Sequence, residues 1–109
     1  MDSIYLIITT MPTHEQALSL SESLVKSDLA ACVQIQAPCT SIYKWKGALE
    51  TTLEYPLHIK TSSKQKLAVE QLIARTHPYE VPEIIAIELG DVNQSYADWV
   101  VSQSLEGRA

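Results

Sequence analysis

Residues 3–10 form a continuous apolar run rich in β-branched side chains, the pattern of a strand buried on both faces. Met11 and Pro12 end it. Thr13 is followed three residues later by Gln16, a capping-box signature. Ala17, Leu20, Leu24 and Val25 then recur at helical spacing, so the pattern predicts a helix over 13–28. From Ala31 to Trp45 the chain alternates, with Val33, Ile35 and Ala37 on one side and Cys32, Gln34 and Gln36 on the other. Pro38 interrupts the alternation, and Tyr43 and Trp45 resume it, so one long strand with a bend or bulge at Pro38 is expected. Residues 46–50 make a turn, and Leu53, Tyr55, Leu57 and Ile59 alternate in the returning strand. The arms of this hairpin exceed the usual strand length of about 5–6 residues. Ser62 with Gln65 is a second capping signature, and Val69, Leu72 and Ile73 give the stripe of a helix over 63–76. Residues 84–89 read as the last strand, and Ser95 with Asp98 opens a third helix whose face carries Tyr96, Trp99 and Val100.

The order β-α-β-β-α-β plus a C-terminal helix is that of an α+β, ferredoxin-like sandwich, an antiparallel four-stranded sheet with two helices on one face. A hairpin this long should project past the helices and leave bare strand edges. Pairing with further copies of the chain removes such edges, so the pattern alone predicts a homo-oligomer.

Composition narrows the function classes. All 109 residues fit one domain, nearly half the chain is apolar (46%), and no linker or internal repeat divides it. Eight basic against thirteen acidic residues give a net charge of −5, which argues against a nucleic-acid partner. Cys32 and Cys39 are too sparse for a disulfide scaffold and are expected as reduced thiols. The basic start of a signal peptide is missing, and no apolar run is long enough for a membrane span. The expected setting is soluble and cytoplasmic, without a membrane partner.

No nucleophile elbow, P-loop, dinucleotide fingerprint or zinc-protease motif is present, so the reading is of a non-enzyme without an organic cofactor. His14 and His58 read as structural or solvated, and Cys32 as a small buried thiol. Cys39, beside Pro38, could serve as a soft ligand for copper(I). The stretch from Thr76 to Ile85, "THPYEVPEII", carries the most concentrated chemistry. Pro78 forces His77 out of helical conformation and stops the second helix at Thr76, while Pro82 does the same to Val81 before the last strand. The two prolines hold Tyr79, Glu80 and Glu83 in place. Such a loop either serves folding alone or fixes His77 with Glu80 and Glu83 as a metal site.

Four segments, "AACVQI" (Ala30–Ile35), "TSIYKWKG" (Thr40–Gly47), "IKTS" (Ile59–Ser62) and "HPYEVPEII" (His77–Ile85), resemble the CutA family of divalent-cation tolerance proteins, and "SYADWV" fits its last helix. The resemblance runs from about Tyr5 to Val101. It implies a ferredoxin-like fold assembled as a homotrimer through the hairpins, similar to the PII signalling proteins, and a role in tolerating and binding copper or other divalent metals. It also implies that Tyr43, Trp45, Lys60, Tyr79, Pro82 and Glu83 line a cleft where hairpin and loop of adjacent subunits meet. The copper site attributed to some members uses a cysteine where this chain has Thr9 and a His-His pair where it has Thr76-His77, so only His77 of that set is retained. The metal candidates are therefore His77, Glu80, Glu83 and Cys39. Two alternatives stand beside the metal reading. One is a PII-like sensor binding a small anionic or zwitterionic ligand, with Lys60 as its basic handle; the other is a purely structural trimer.

Overall fold

The computed structural model describes residues 2–104. Its elements are β1 (Ile4–Met11), α1 (His14–Lys26), β2 (Cys32–Ile35), β3 (Cys39–Trp45), β4 (Ala48–Ser62), α2 (Lys66–Thr76), β5 (Ile85–Leu89) and α3 (Gln94–Gln103). The sheet is antiparallel throughout, in the order β2-β4-β1-β5, with β3 also paired to β4. With β2 and β3 taken as one interrupted strand, this is the ferredoxin-like arrangement the hydrophobic pattern implies.

The odd-numbered side chains of β1 and β4 face α1 and α2. Ile7, Met11, Leu57 and Ile59 pack there against Ala17, Leu20 and Leu24 of α1 and Val69 and Ile73 of α2. Thr13 caps α1 as its sequence suggests, its hydroxyl oxygen accepting from the Gln16 N–H at 3.1 Å. The α3 helix crosses the other face of the sheet at one end, where Val100 joins Ile4 and Ala31. The rest of that face carries Leu6 and Ile8 beside Ile85 and Ile87, the last two 45% and 43% exposed.

The interruption at Pro38 is a true insertion. Cys32–Ile35 pair with Lys60–Leu57, and Cys39–Trp45 pair with Glu54–Ala48. Between the two ladders, residues 36–38 oppose only Tyr55 and Pro56, so the β2–β3 arm carries one extra residue. A shift of one residue exchanges the faces of everything beyond it. Val33 and Ile35 sit beside Ile59 and Leu57 on the helix side, but Tyr43 and Trp45 sit beside Glu50 and Ala48 on the opposite side. The two halves keep the same odd numbering while swapping faces, so the strand does not resume its first alternation.

The hairpin turn is tighter than the five residues expected from sequence. Lys46 (φ 51°) and Gly47 (φ 84°) alone join Trp45 to Ala48, a two-residue turn of the primed type that matches strand twist. Residues 48–50 already belong to the fifteen-residue β4. The projecting hairpin stretches the molecule to 45 × 30 × 22 Å with a radius of gyration of 14.5 Å, against about 13 Å for a compact domain of this length.

Two helix starts differ from their sequence signatures. The second helix begins at Lys66 rather than 63, and the Ser62 hydroxyl is buried without a hydrogen-bond partner instead of capping it. In α3 the cap is Asn93, whose side-chain oxygen accepts from the Tyr96 N–H at 3.1 Å, two residues ahead of the expected Ser95.

Candidate functional site

The proline-pinned stretch begins where α2 ends. His77 has extended backbone (φ −70°, ψ 138°), the conformation that Pro78 imposes on the residue before it. Its ring turns inward against the end of β1. Nε2 lies 2.7 Å from the Thr10 carbonyl oxygen, which can only accept, so Nε2 carries the hydrogen. Nδ1 accepts from the Tyr79 N–H at 3.1 Å. Both nitrogens are thus engaged, and the ring fixes the loop to the sheet. Tyr79 packs against it with ring centroids 4.8 Å apart.

Next to this latch lies a carboxylate that the sequence pattern conceals. Glu54 on β4 is only 7% exposed, and its Oε2 accepts from the Thr10 hydroxyl at 2.9 Å. Burial pushes its carboxyl up, but hydrogen bonds from Ser41, Thr10 and Tyr79, with His77 close by, outweigh it and hold the group below its ordinary value. Tyr79 shows the reciprocal effect: burial, then its hydrogen bond to Glu54 and that carboxylate's charge, push the phenol well above its usual range.

Between the hairpin and the loop is an open cleft of about 660 Å³, bounded by Thr10, Ser41, Tyr43, Trp45, Glu50, Glu54, Tyr79, Glu80 and Glu83. Tyr43 and Trp45 reach it because they pair with Glu50 and Ala48 of β4, on the same side of the sheet as Glu54; the bulge reconciles this register with that of β2. At the rim the Lys46 ammonium stands 3.9 Å from Glu80 and 5.7 Å from the centroid of the Trp45 ring.

The structure brings together five of the sequence candidates: Tyr43, Trp45, Tyr79, Glu80 and Glu83. Pro82 stands between two cleft residues without lining the cleft itself. Lys60 lies elsewhere within the chain, paired with Cys32 at the far end of β4 and hydrogen-bonded to the Gln34 side chain. Cys39 is exposed on the hairpin with its Sγ 4.0 Å from Ser41 Oγ, and both cysteines are free thiols. Thr10, Ser41, Glu50 and Glu54 are site residues that sequence reasoning missed. Glu54 alternates with Leu53 and Tyr55 and so reads as an ordinary solvent-facing position; counting residues across Pro38 is the one signal that would have exposed the reversal.

The copper set implied by the family resemblance does not fit these residues. Thr9 is fully buried on the helix side of the sheet, Thr76 gives its hydroxyl to the Leu72 carbonyl at 2.8 Å, and His77 has no lone pair to spare. Among the described residues no three of His, Cys, Asp or Glu come together in a way that could hold a metal ion. No helix among them is long and apolar enough to cross a membrane.

Fold, hairpin and proline-pinned loop together define an α+β protein of ferredoxin-like architecture with a projecting hairpin. The chain belongs to the family described as "CutA1 divalent ion tolerance protein", which matches residues 5–103. It is 36% identical over 94 residues to the divalent-cation tolerance protein CutA of Thermus thermophilus, covering 86% of this chain and 91% of that one. Its fold is similar to the crystal structure of CutA1 from Ehrlichia chaffeensis (TM-score 0.91, 31% identity, 96% and 98% of the two chains). It is similar also to CutA1 from the psychrotrophic Shewanella sp. SIB1 (TM-score 0.89, 39% identity, 93% and 94%).

Proposed function

We propose that this chain works in divalent-cation tolerance as a homotrimer whose working site is the cleft between hairpin and loop, and that the cleft takes cations. The observation that carries this reading is the cleft's charge. Glu50, Glu54, Glu80 and Glu83 all line it, and none of its lining residues is basic. Carboxylate oxygens are hard ligands, better matched to divalent cations than a lone thiol or an engaged imidazole. Because no three such groups converge among the described residues of one chain, the remaining ligands come from a neighbouring subunit in this reading.

The trimer is supported by what one chain leaves uncovered. Ile85 and Ile87 on the sheet face, and Ile42, Leu49 and Leu53 on the projecting hairpin, are large apolar side chains exposed to solvent. The free thiols Cys32 and Cys39 support a reducing, cytoplasmic setting. The reading is of a binding protein rather than an enzyme. Glu54 is held down and Tyr79 is pushed up, so this pair is poised away from neutral pH, where general acid–base catalysis works best.

Calorimetric titration of the purified protein with zinc, manganese and copper tests the site. Binding that weakens in Glu83→Gln and Glu80→Gln variants is expected; unchanged binding in both would remove the cleft from the metal's path. A second reading, a small-molecule sensor, is favoured by the three aromatic residues Tyr43, Trp45 and Tyr79 and by a volume in the usual range of ligand pockets.

A further inference from the structure

The cleft is built for more than a compact ion. A divalent metal needs several oxygen ligands at about 2.0–2.6 Å from one point, and the described residues of a single chain gather no such group. What the cleft does gather is three aromatic rings, Tyr43, Trp45 and Tyr79, together with the carboxylates of Glu50, Glu80 and Glu83. An organic ammonium ion suits that combination. Its charge is spread over several carbon-bound hydrogens, it is drawn to ring faces within about 6 Å, and it needs no convergent ligands. The surrounding carboxylates balance the charge without having to touch it.

The chain already makes this contact once. Lys46 places its own ammonium 5.7 Å from the Trp45 ring centroid and 3.9 Å from a Glu80 oxygen, at the rim of the cleft. Ring and carboxylate are thus positioned to share one ammonium group. The volume of about 660 Å³ is far larger than a single ion requires and falls within the range of about 300–1,000 Å³ typical of small organic ligands.

We propose that the cleft binds small organic cations, amines or quaternary ammonium compounds, through the faces of Trp45, Tyr43 and Tyr79 with Glu50 and Glu83 supplying the countercharge. The proposal rests on the reading of this cleft as a cation site. It differs from the anionic or zwitterionic ligand of the sensor alternative: within one chain Lys60, the basic handle of that alternative, is not among the residues lining the cleft.

The test uses the full chain, labelled with nitrogen-15, and two probes of similar shape: tetramethylammonium and the neutral tert-butanol. The indole resonances of Trp45 and Trp99 are followed during titration. Tetramethylammonium is expected to shift the Trp45 signal saturably and leave Trp99 of α3 unmoved, with tert-butanol weaker by about tenfold. A Trp45→Leu variant, read through Tyr43 and Tyr79, should bind about fivefold more weakly or worse; a Glu50→Gln, Glu83→Gln double variant should lose both affinity and salt dependence. Trp45 lies at the tip of an exposed hairpin, and unchanged circular dichroism will show that its replacement folds. Equal binding of the two probes, or no Trp45 response, overturns the proposal. A parallel zinc titration separates it from the divalent-cation reading: zinc uptake without an ammonium response sinks the organic-cation site alone, and an ammonium response without zinc uptake supports it alone.

Discussion

The ring of His77 is bonded to the main chain of Thr10, 67 positions away, with Nε2 at 2.7 Å from the carbonyl oxygen. The same ring accepts the Tyr79 N–H on its other nitrogen. His77 therefore ties the proline-pinned loop to the end of β1, and its second bond aligns the backbone of the residue whose phenol meets Glu54. A metal could claim either nitrogen only by breaking one of these bonds.

Removing the latch should cost stability and leave metal binding alone. A His77→Ala variant leaves the Thr10 carbonyl and the Tyr79 N–H without their partner, a loss of about 1–3 kcal/mol. Urea unfolding should show that loss, while calorimetry should find copper and zinc affinity within experimental error of the parent. A copper affinity reduced tenfold, with the fold intact, would restore His77 as a ligand.

Glu54 should give the protein an acid-sensitive share of its stability. Its carboxyl is held below its ordinary value of 4.5, so the folded state favours the charged form. The sign follows: this contribution is complete above the unfolded value and is lost as pH falls through the lower folded one. A Glu54→Gln variant lacks the titration, so it should be less stable than the parent by about 1–2 kcal/mol at pH 7. The gap should close progressively below pH 4.5. Denaturant unfolding across that range checks it, and a gap that stays constant with pH would mean that the carboxylate's charge adds nothing.

Much of the fold was legible because burial imposes periods. The apolar residues of β1 and α1 repeat at the spacing of their core faces, and Pro78 fixed the end of α2 at Thr76 by sterics alone. Local capping chemistry was less decisive: Ser62 had the right partner at the right distance in sequence, yet tertiary packing buried its hydroxyl and began the helix later. The cleft was legible only in part, for a reason of register. Tyr43, Trp45 and Tyr79 stand out as aromatic residues in short motifs. Their companions Thr10 and Glu54 become visible only once the one-residue insertion across Pro38 is known, and that depends on pairing with a distant strand.

The insertion itself should be the most sensitive determinant of the cleft. Deleting Ala37 removes the extra residue and makes the two ladders continuous, while Tyr43 and Trp45 keep their partners Glu50 and Ala48 and so stay on the cleft side. What the deletion removes is the bend and extra twist that aim the hairpin over the loop. The expected outcome is a folded protein with the circular dichroism of the parent whose Trp45 responds more weakly to cleft ligands. A parent-like response would show that the bend does not position the rings.

Charge placed on the uncovered apolar faces should separate the subunits. Ile85 is 45% exposed on the sheet face and Leu53 is 54% exposed on the hairpin, and in the proposed trimer both would be covered. A lysine at either position would then bury an unpaired ammonium, which costs several kcal/mol and exceeds what one lost side-chain contact removes. In the single chain the same lysine remains in water, so folding of the subunit itself should change little. Sedimentation equilibrium is expected to show the parent as a trimer, with Ile85→Lys and Leu53→Lys shifted towards monomer at micromolar concentration. Leu18→Lys, on the outer face of α1, is the control and should leave the assembly intact. If Ile85→Lys remains trimeric while Leu53→Lys dissociates, the hairpins alone hold the subunits together; if neither dissociates, the subunit contact lies on another surface.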